Sequence, residues 1–313
     1  MAKINSVCGP LDTNDLGFTL MHEHIMVGAA GAYEDFPEFF GPKPMARVVE
    51  GLKKAKEGGV DTIVDATTLD LGRDIHLLYE ASKQSKVNII ACAGWWLEIP
   101  RFFEGLSADQ LAEVFLREIE HGISGTNIKA GILKAAHDIG GVTPMGETMI
   151  RAVARAHLKS GVPIMLHSYS PGRVGLQQLA VLKDEGVNLN RVKMDHSNDT
   201  MDVEYLISLM EEGCYLGLDR YPGMNVSPLS RTKTMKALID EGYADRLCPS
   251  HDGSILHILV DNPVMTEKER LLKNPYGFLF IKNVVFPQLK EMGVPEDIIN
   301  GLCVRGPKNF FLG

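Results

Sequence analysis

The residues able to do chemistry sit at the ends of apolar segments. Met21-His22-Glu23-His24 places two histidines two residues apart, and in an extended strand that spacing turns both imidazoles to one face. Gly131-Ile132-Leu133-Lys134 ends in a lysine, Pro163-Ile164-Met165-Leu166-His167 in a histidine, and two later apolar runs end in His196 and Asp252. Four neutral imidazoles and a carboxylate suit zinc above all, with manganese, cobalt or iron as alternatives. A single catalytic zinc takes about three protein ligands, so His22, His24, His167, His196 and Asp252 suffice for two ions. Two ions about 3.5–4 Å apart need a bridging anion. An ammonium at Lys134 would be repelled there, whereas a neutral lysine amine can add carbon dioxide and bridge as a carbamate. Such a centre lowers the pKa of a bridging water, and its small positive balance favours a developing oxyanion. His76, His121, His137, His157 and His257 show no such strand-end placement and read as core or surface residues.

These side chains need a frame that gathers strand ends at one place. Short apolar runs alternate with helical patterns along the chain, which indicates βα units around a parallel sheet. Eight strands are predicted, over 18–24, 60–66, 88–93, 128–134, 163–167, 192–196, 214–218 and 247–252. Several lack polar alternation, as strands covered on both faces do. Helices are predicted over 45–57, 144–159, 177–185, 203–212, 233–241, 277–292 and 295–302. Thr143 with Pro144 reads as an N-cap followed by the first helical position, and glycine after several helix ends reads as a C-cap. The pattern predicts one domain, a (β/α)8 TIM barrel spanning 1–313, with its active site at the C-terminal ends of the strands. The long irregular stretches 29–44, 94–105, 220–230 and 253–274 each follow a strand and fall at that mouth.

Composition excludes other classes. Apolar residues make up 45% and charged residues 23%, which rules out a disordered chain or a collagen-like repeat. Thirty-two basic against 40 acidic residues give a net charge of −8, and no basic run offsets it, so nucleic acid is not an expected partner. The five cysteines form no Cys-x-x-Cys pair; neither a disulfide framework nor a thiolate zinc site is expected. Residues 1–17 lack a signal-peptide core and no long apolar window follows, so the expectation is a cytoplasmic protein with no membrane span. Ser250-His251-Asp252 does not read as a hydrolytic triad, because neighbouring strand residues face opposite sides.

Beyond the ligand residues, longer stretches carry a resemblance. Gly17-Phe18-Thr19-Leu20-Met21-His22-Glu23-His24, Gly161-Val162-Pro163-Ile164-Met165-Leu166-His167, Asp195-His196-Ser197-Asn198-Asp199-Thr200 and Leu216-Gly217-Leu218-Asp219-Arg220-Tyr221 resemble the phosphotriesterase family of the amidohydrolase superfamily. The likeness continues through 237–243 and 290–312. It implies a barrel with a binuclear centre, in which His22, His24 and Asp252 hold the more buried ion, His167 and His196 the more exposed one, and carboxylated Lys134 the bridge. It also implies a homodimer acting on a small-molecule ester or lactone. Asp219-Arg220-Tyr221 is similar to the lactonase branch, where this arginine lies near the substrate.

Two stretches depart from that branch. Gly94-Trp95-Trp96-Leu97-Glu98-Ile99-Pro100 lacks a tyrosine-rich pattern, and Ser250-His251 precedes Asp252 where relatives often have asparagine. The expected substrate contacts are Arg220, Tyr221, Trp96 as an apolar wall, and Ile255 within the apolar run 255–260. The main expectation is a lactonase with organophosphate hydrolysis as a side activity. The alternatives are a phosphotriesterase or another ester or sugar-lactone hydrolase, and a ligand-binding protein without turnover on the same barrel. Catalysis is expected to rest on Asp252, which takes the proton from the attacking water, and on Lys134. Asp252→Ala or Asp252→Asn should therefore abolish turnover, and near-normal rates in a metal-loaded variant would overturn that role.

Overall fold

The computed structural model describes residues 3–223, 225–258 and 272–313. Its central sheet has parallel strands β3 (Thr19–Val27), β4 (Thr62–Asp65), β5 (Asn88–Gly94), β6 (Ile132–His137), β7 (Ile164–Ser168), β8 (Val192–Asp195), β9 (Tyr215–Leu218), β10 (Leu247–Pro249) and β11 (Ser254–His257). Strands β1 (Lys3–Ser6) and β2 (Gly9–Asp12) form a separate antiparallel hairpin. The sheet runs β10-β9-β8-β7-β6-β5-β4-β3-β11 and curls into a (β/α)8 barrel. The eighth stave consists of two pieces: β10 pairs with β9, and β11 pairs with β3. Between them, Asp252 N–H donates to the His22 carbonyl at 3.2 Å and His24 N–H to the Gly253 carbonyl at 2.8 Å, closing the seam.

The helices α1 (Ala32–Asp35), α2 (Pro44–Glu57), α3 (Ile75–Ser85), α4 (Ala108–Glu120), α5 (Pro144–Ser160), α6 (Val174–Asp184), α7 (Val203–Glu211) and α8 (Pro228–Asp240) follow in chain order. Apolar stripes on the longer ones cover the outer face of the sheet, which is why β3 is buried on both faces from Thr19 to Met26. Inside the barrel, Met21, Val64, Ile90, Ile132, Met165 and Cys248 pack into a second apolar cluster. Ile4 of β1 joins it, as do Phe310 and Phe311 of the helix Arg305–Leu312. The bottom of the barrel is thus a dry plug, and polar chemistry is confined to the other end. Among the described residues no helix is long and apolar enough to cross a membrane.

All eight predicted staves are present, with four differences of outline. The hairpin at 3–12 and helices α3 and α4 lie outside the predicted segments, although Asp74 caps α3 and Ser107 with Gln110 forms a capping box on α4. Lys134 lies inside β6 rather than at its end, because the strand starts at Ile132 and continues to His137. The predicted strand 247–252 breaks after Pro249, and Asp252 adopts a left-handed φ of 49°. The predicted helix 277–292 contains a π segment, Ile281–Val285, just before Phe286-Pro287. Proline there removes one N–H from the helical ladder, and a wider turn accommodates the gap.

Gly94 shows how tightly the barrel wall is fitted beside Lys134. Its φ is +123°, and a Cβ would come within 1.9 Å of the Lys134 carbonyl oxygen. Gly94→Ala should cost at least about 1–3 kcal/mol from backbone strain alone. A denaturant midpoint equal to that of the parent chain would contradict this close approach.

Candidate metal centre

The six predicted ligands reach the mouth from five staves. His22 and His24 come from β3, Lys134 from β6 and His167 from β7. His196 follows β8 directly, and Asp252 lies between β10 and β11. His196 and Asp252 both have left-handed backbones, φ 58° and 49°. This conformation is uncommon outside glycine, and its recurrence at two candidate ligands is a mark of a functional site. His22 Nε2 and His24 Nε2 stand 3.4 and 3.3 Å from the same Asp252 oxygen. His167 Nδ1 faces His196 Nε2 at 2.8 Å. Ligand atoms of His22, His196 and Asp252 lie within 4.8 Å of one another. Lys134 is buried, and its Nζ donates to the Ala66 carbonyl at 2.8 Å.

A second layer fixes the imidazoles. His22 Nδ1 lies 2.9 Å from Asp195 Oδ2 and 3.3 Å from Asp219 Oδ2. His196 Nδ1 lies 2.9 Å from Asp219 Oδ1, and His24 Nδ1 lies 2.8 Å from Thr67 Oγ1. An ionised carboxylate only accepts, so His22 and His196 each hold a proton on Nδ1 and turn Nε2 to the cluster. His22 Nε2 is buried without a hydrogen-bond partner, as a nitrogen meant for a cation would be. His22, Asp195 and Asp219 could also gather round an ion, but the Nδ1 proton already occupies that place. Asp195 in turn pairs with Lys193 Nζ, and both are fully buried. Gly217 makes room for the two carboxylates: a Cβ there would lie 2.3 Å from Asp195 Oδ1 and 2.4 Å from Asp219 Oδ2.

The charges follow from this packing. Burial alone would lower the pKa of His22, but Asp195, Asp219 and Asp252 override it and raise it to about 10. Burial pushes His196 down to about 3, and lowers His24 and His167 as well. Burial would raise Asp252, yet the imidazoles of His22 and His196 hold its carboxyl well below the usual range. The cluster is built to hold positive charge beside Asp252, and three neutral imidazoles with an ionised carboxylate fit a divalent metal.

A cavity of about 490 Å³ opens beside Asp252, lined by Arg220, Tyr221, Arg231, Ser254 and Phe278 among others. Arg220 Nε lies 3.1 Å from Asp252 Oδ2 and its Nη1 lies 2.5 Å from Asp199 Oδ2. Tyr221 is buried in the wall, and the Trp96 ring stands edge-on to His167 at 6.3 Å. Ile255 departs from the expectation. It packs on Gly51 of α2, where a Cβ would be only 3.0 Å away, because strand alternation gives the inward place to Ser254, paired with His24. Of the predicted apolar wall, Leu259 and Val260 lie outside the described residues. Sequence reasoning missed Asp138, 3.7 Å from His167 Nε2, and the supporting roles of Asp195, Asp199, Asp219 and Lys193. Asp195 and Asp219 were visible as acids directly preceding His196 and Arg220; the one signal for Lys193 is its place two residues before Asp195 on the same strand.

The family model described as the phosphotriesterase family matches residues 2–311. The chain belongs to the phosphotriesterase family. It is 36% identical to a phosphotriesterase homology protein of Mycobacterium tuberculosis, over 99% of this chain and 98% of that protein. It is 34% identical to an aryldialkylphosphatase of Saccharolobus solfataricus, over 96% of both chains. An N-acetyltaurine hydrolase of Mus musculus is 27% identical over 98% of this chain and 97% of its own. Phosphotriesterase-family enzymes are binuclear metal enzymes, which agrees with the donor set gathered here.

In this phosphotriesterase-family chain Lys193 is the cation that balances the paired carboxylates under His22. Removing one partner of a buried ion pair costs about 3–5 kcal/mol. Lys193→Met should show a loss of that size in chemical denaturation, and an unchanged unfolding free energy would refute the pairing.

Proposed function

We propose that this phosphotriesterase-family member is a two-metal hydrolase whose main reaction opens hydrophobic lactones, with organophosphate hydrolysis as a side activity. The observation that carries this reading is the position of Arg220. Its guanidinium spans Asp252 and Asp199, at 3.1 and 2.5 Å, on the wall of the cavity beside the cluster. A fixed planar donor there can hold a lactone or its tail against Asp252. The likeness of Asp219-Arg220-Tyr221 to the lactonase branch supports the same assignment.

In this reading His22, His24 and Asp252 would hold one ion and His167 and His196 the other, and a carboxylated Lys134 would serve as the anionic ligand they share. Zinc suits these donors best, and manganese, cobalt or iron are alternatives. Bound ions supply Lewis acidity, which lowers the pKa of water and polarises the substrate oxygen. The protein supplies the rest. Asp252 accepts the proton of the attacking water and returns it to the ring oxygen as the acyl C–O bond breaks, so the alcohol stays tethered to the new carboxylate. Arg220 keeps the second Asp252 oxygen engaged and thereby fixes its orientation. Phe278 and Tyr221 on one side and Trp96 on the other take the apolar substituent. The likeness to an aryldialkylphosphatase favours phosphotriesters as the second substrate class. We further propose a homodimer in the cytoplasm, on the family likeness and the five free cysteines.

The metal-loaded protein should open alkyl-substituted lactones faster than it cleaves aryl phosphotriesters, and chelation should abolish both activities. Arg220→Met should reduce lactone kcat/KM by roughly 10–100-fold, the scale of one lost charge-assisted contact of about 1.5–3 kcal/mol. Phosphotriester turnover without lactone turnover would move the assignment to the second class. No chelator-sensitive hydrolysis of either would reject it.

A further inference from the structure

β3 carries a carboxylate between its two histidines, and no step of the reaction described above uses it. Strand alternation turns Glu23 away from His22 and His24, into the seam where the eighth stave changes partner. Glu23 is fully buried. Its Oε1 accepts from Ser250 Oγ at 2.8 Å, from His251 N–H at 3.0 Å and from the His251 ring at 2.6 Å. Its Oε2 accepts from Gly253 N–H at 3.1 Å. One carboxylate therefore grips the backbone on both sides of Asp252, the residue whose left-handed φ is disfavoured for a non-glycine side chain.

We propose that Glu23 is a positioning residue for Asp252. It holds the 251–253 peptides in the turn that aims the Asp252 carboxylate at His22 Nε2, His24 Nε2 and Arg220 Nε. Closing the barrel does not require it, since Asp252 N–H to His22 and His24 N–H to Gly253 already join the staves. The bonds from Glu23 are additional and converge on the neighbours of Asp252. They also extend further. His251 Nε2 accepts from Ile281 N–H at 3.2 Å, at the start of the π segment, and Gly277 and Phe278 just before it line the cavity. The Glu23 carboxylate thus fixes Asp252 and the Phe278 wall relative to each other. The inference rests on Asp252 being a metal ligand, so its test reads metal binding apart from turnover.

The test compares the parent chain with Glu23→Gln, Glu23→Asp, Ser250→Ala and Asp252→Ala. Cobalt(II) affinity is measured by competition with a chelator, alongside the cobalt absorption spectrum, the Tm of the metal-free protein, and kcat and KM on a lactone. Glu23→Gln places an NH2 against an N–H donor and should weaken cobalt binding about 10–100-fold, as loss of a supporting partner does. Its spectrum should change and its kcat fall, with KM nearly constant. Glu23→Asp, one methylene short, should show the same loss if Glu23→Gln does not fold. Ser250→Ala removes one arm of the grip and should lose less than about tenfold. Parent-like cobalt affinity and spectrum in a folded Glu23 variant would overturn the proposal, whatever its Tm. Parent-like cobalt binding by Asp252→Ala would instead overturn the ligand reading beneath it.

Discussion

Everything at the mouth of this barrel depends on where two protons sit. His22 and His196 each spend an Nδ1–H on a buried carboxylate, Asp195 or Asp219, and this makes Nε2 the ring atom that faces the cluster. An imidazole is ambivalent in isolation, and its tautomer is set by what the far nitrogen meets. Here the far nitrogens meet acceptors that cannot donate. The rings are thereby oriented for a cation before any cation arrives, and the positional reorganisation needed on binding is small.

That commitment must be compensated below. Two carboxylates sharing one imidazole would repel each other in a dry interior, and burial penalises both. Lys193 answers this from beneath, and the bare backbone at Gly217 provides the space. Below Lys193 the interior becomes apolar, closed by residues of the hairpin 3–12 and the helix Arg305–Leu312. The order from floor to mouth is apolar plug, ion pair, hydrogen-bonded imidazoles and open cavity. Each layer makes the next tolerable: the plug keeps water out, the pair settles the carboxylates, and the carboxylates settle the rings.

Much of this arrangement was legible in the sequence. Residues at the ends of apolar runs all arrive at one mouth because parallel staves deliver every C-terminal end to the same side, so His22, His24, His167 and His196 could be grouped without any knowledge of contacts. Helices α3 and α4 announce themselves through their caps, Asp74 and the Ser107–Gln110 pair, which apolar periodicity alone does not register. Lys134 is displaced from the strand end because Ile128–Gly131 precedes the pairing of β6 instead of joining it. Ile255 was misplaced because the eighth stave is broken at Asp252, and a break shifts which residues face inward. Lys193 and Glu23 carry little signal because a buried charge is explained only by its partner: Asp195, two residues along the same strand, does not itself announce that it is buried, and the partners of Glu23 come from a turn that sequence does not display.

The plug has a practical meaning for the molecule as an object. Both the hairpin and the helix Arg305–Leu312 lie on the floor, at the far side of the barrel from the cavity. A linker leaving from either would carry the protein on a bead or an electrode with its opening directed to the surrounding liquid. Substrate would then reach it as it does in free solution, without passing between the protein and its support.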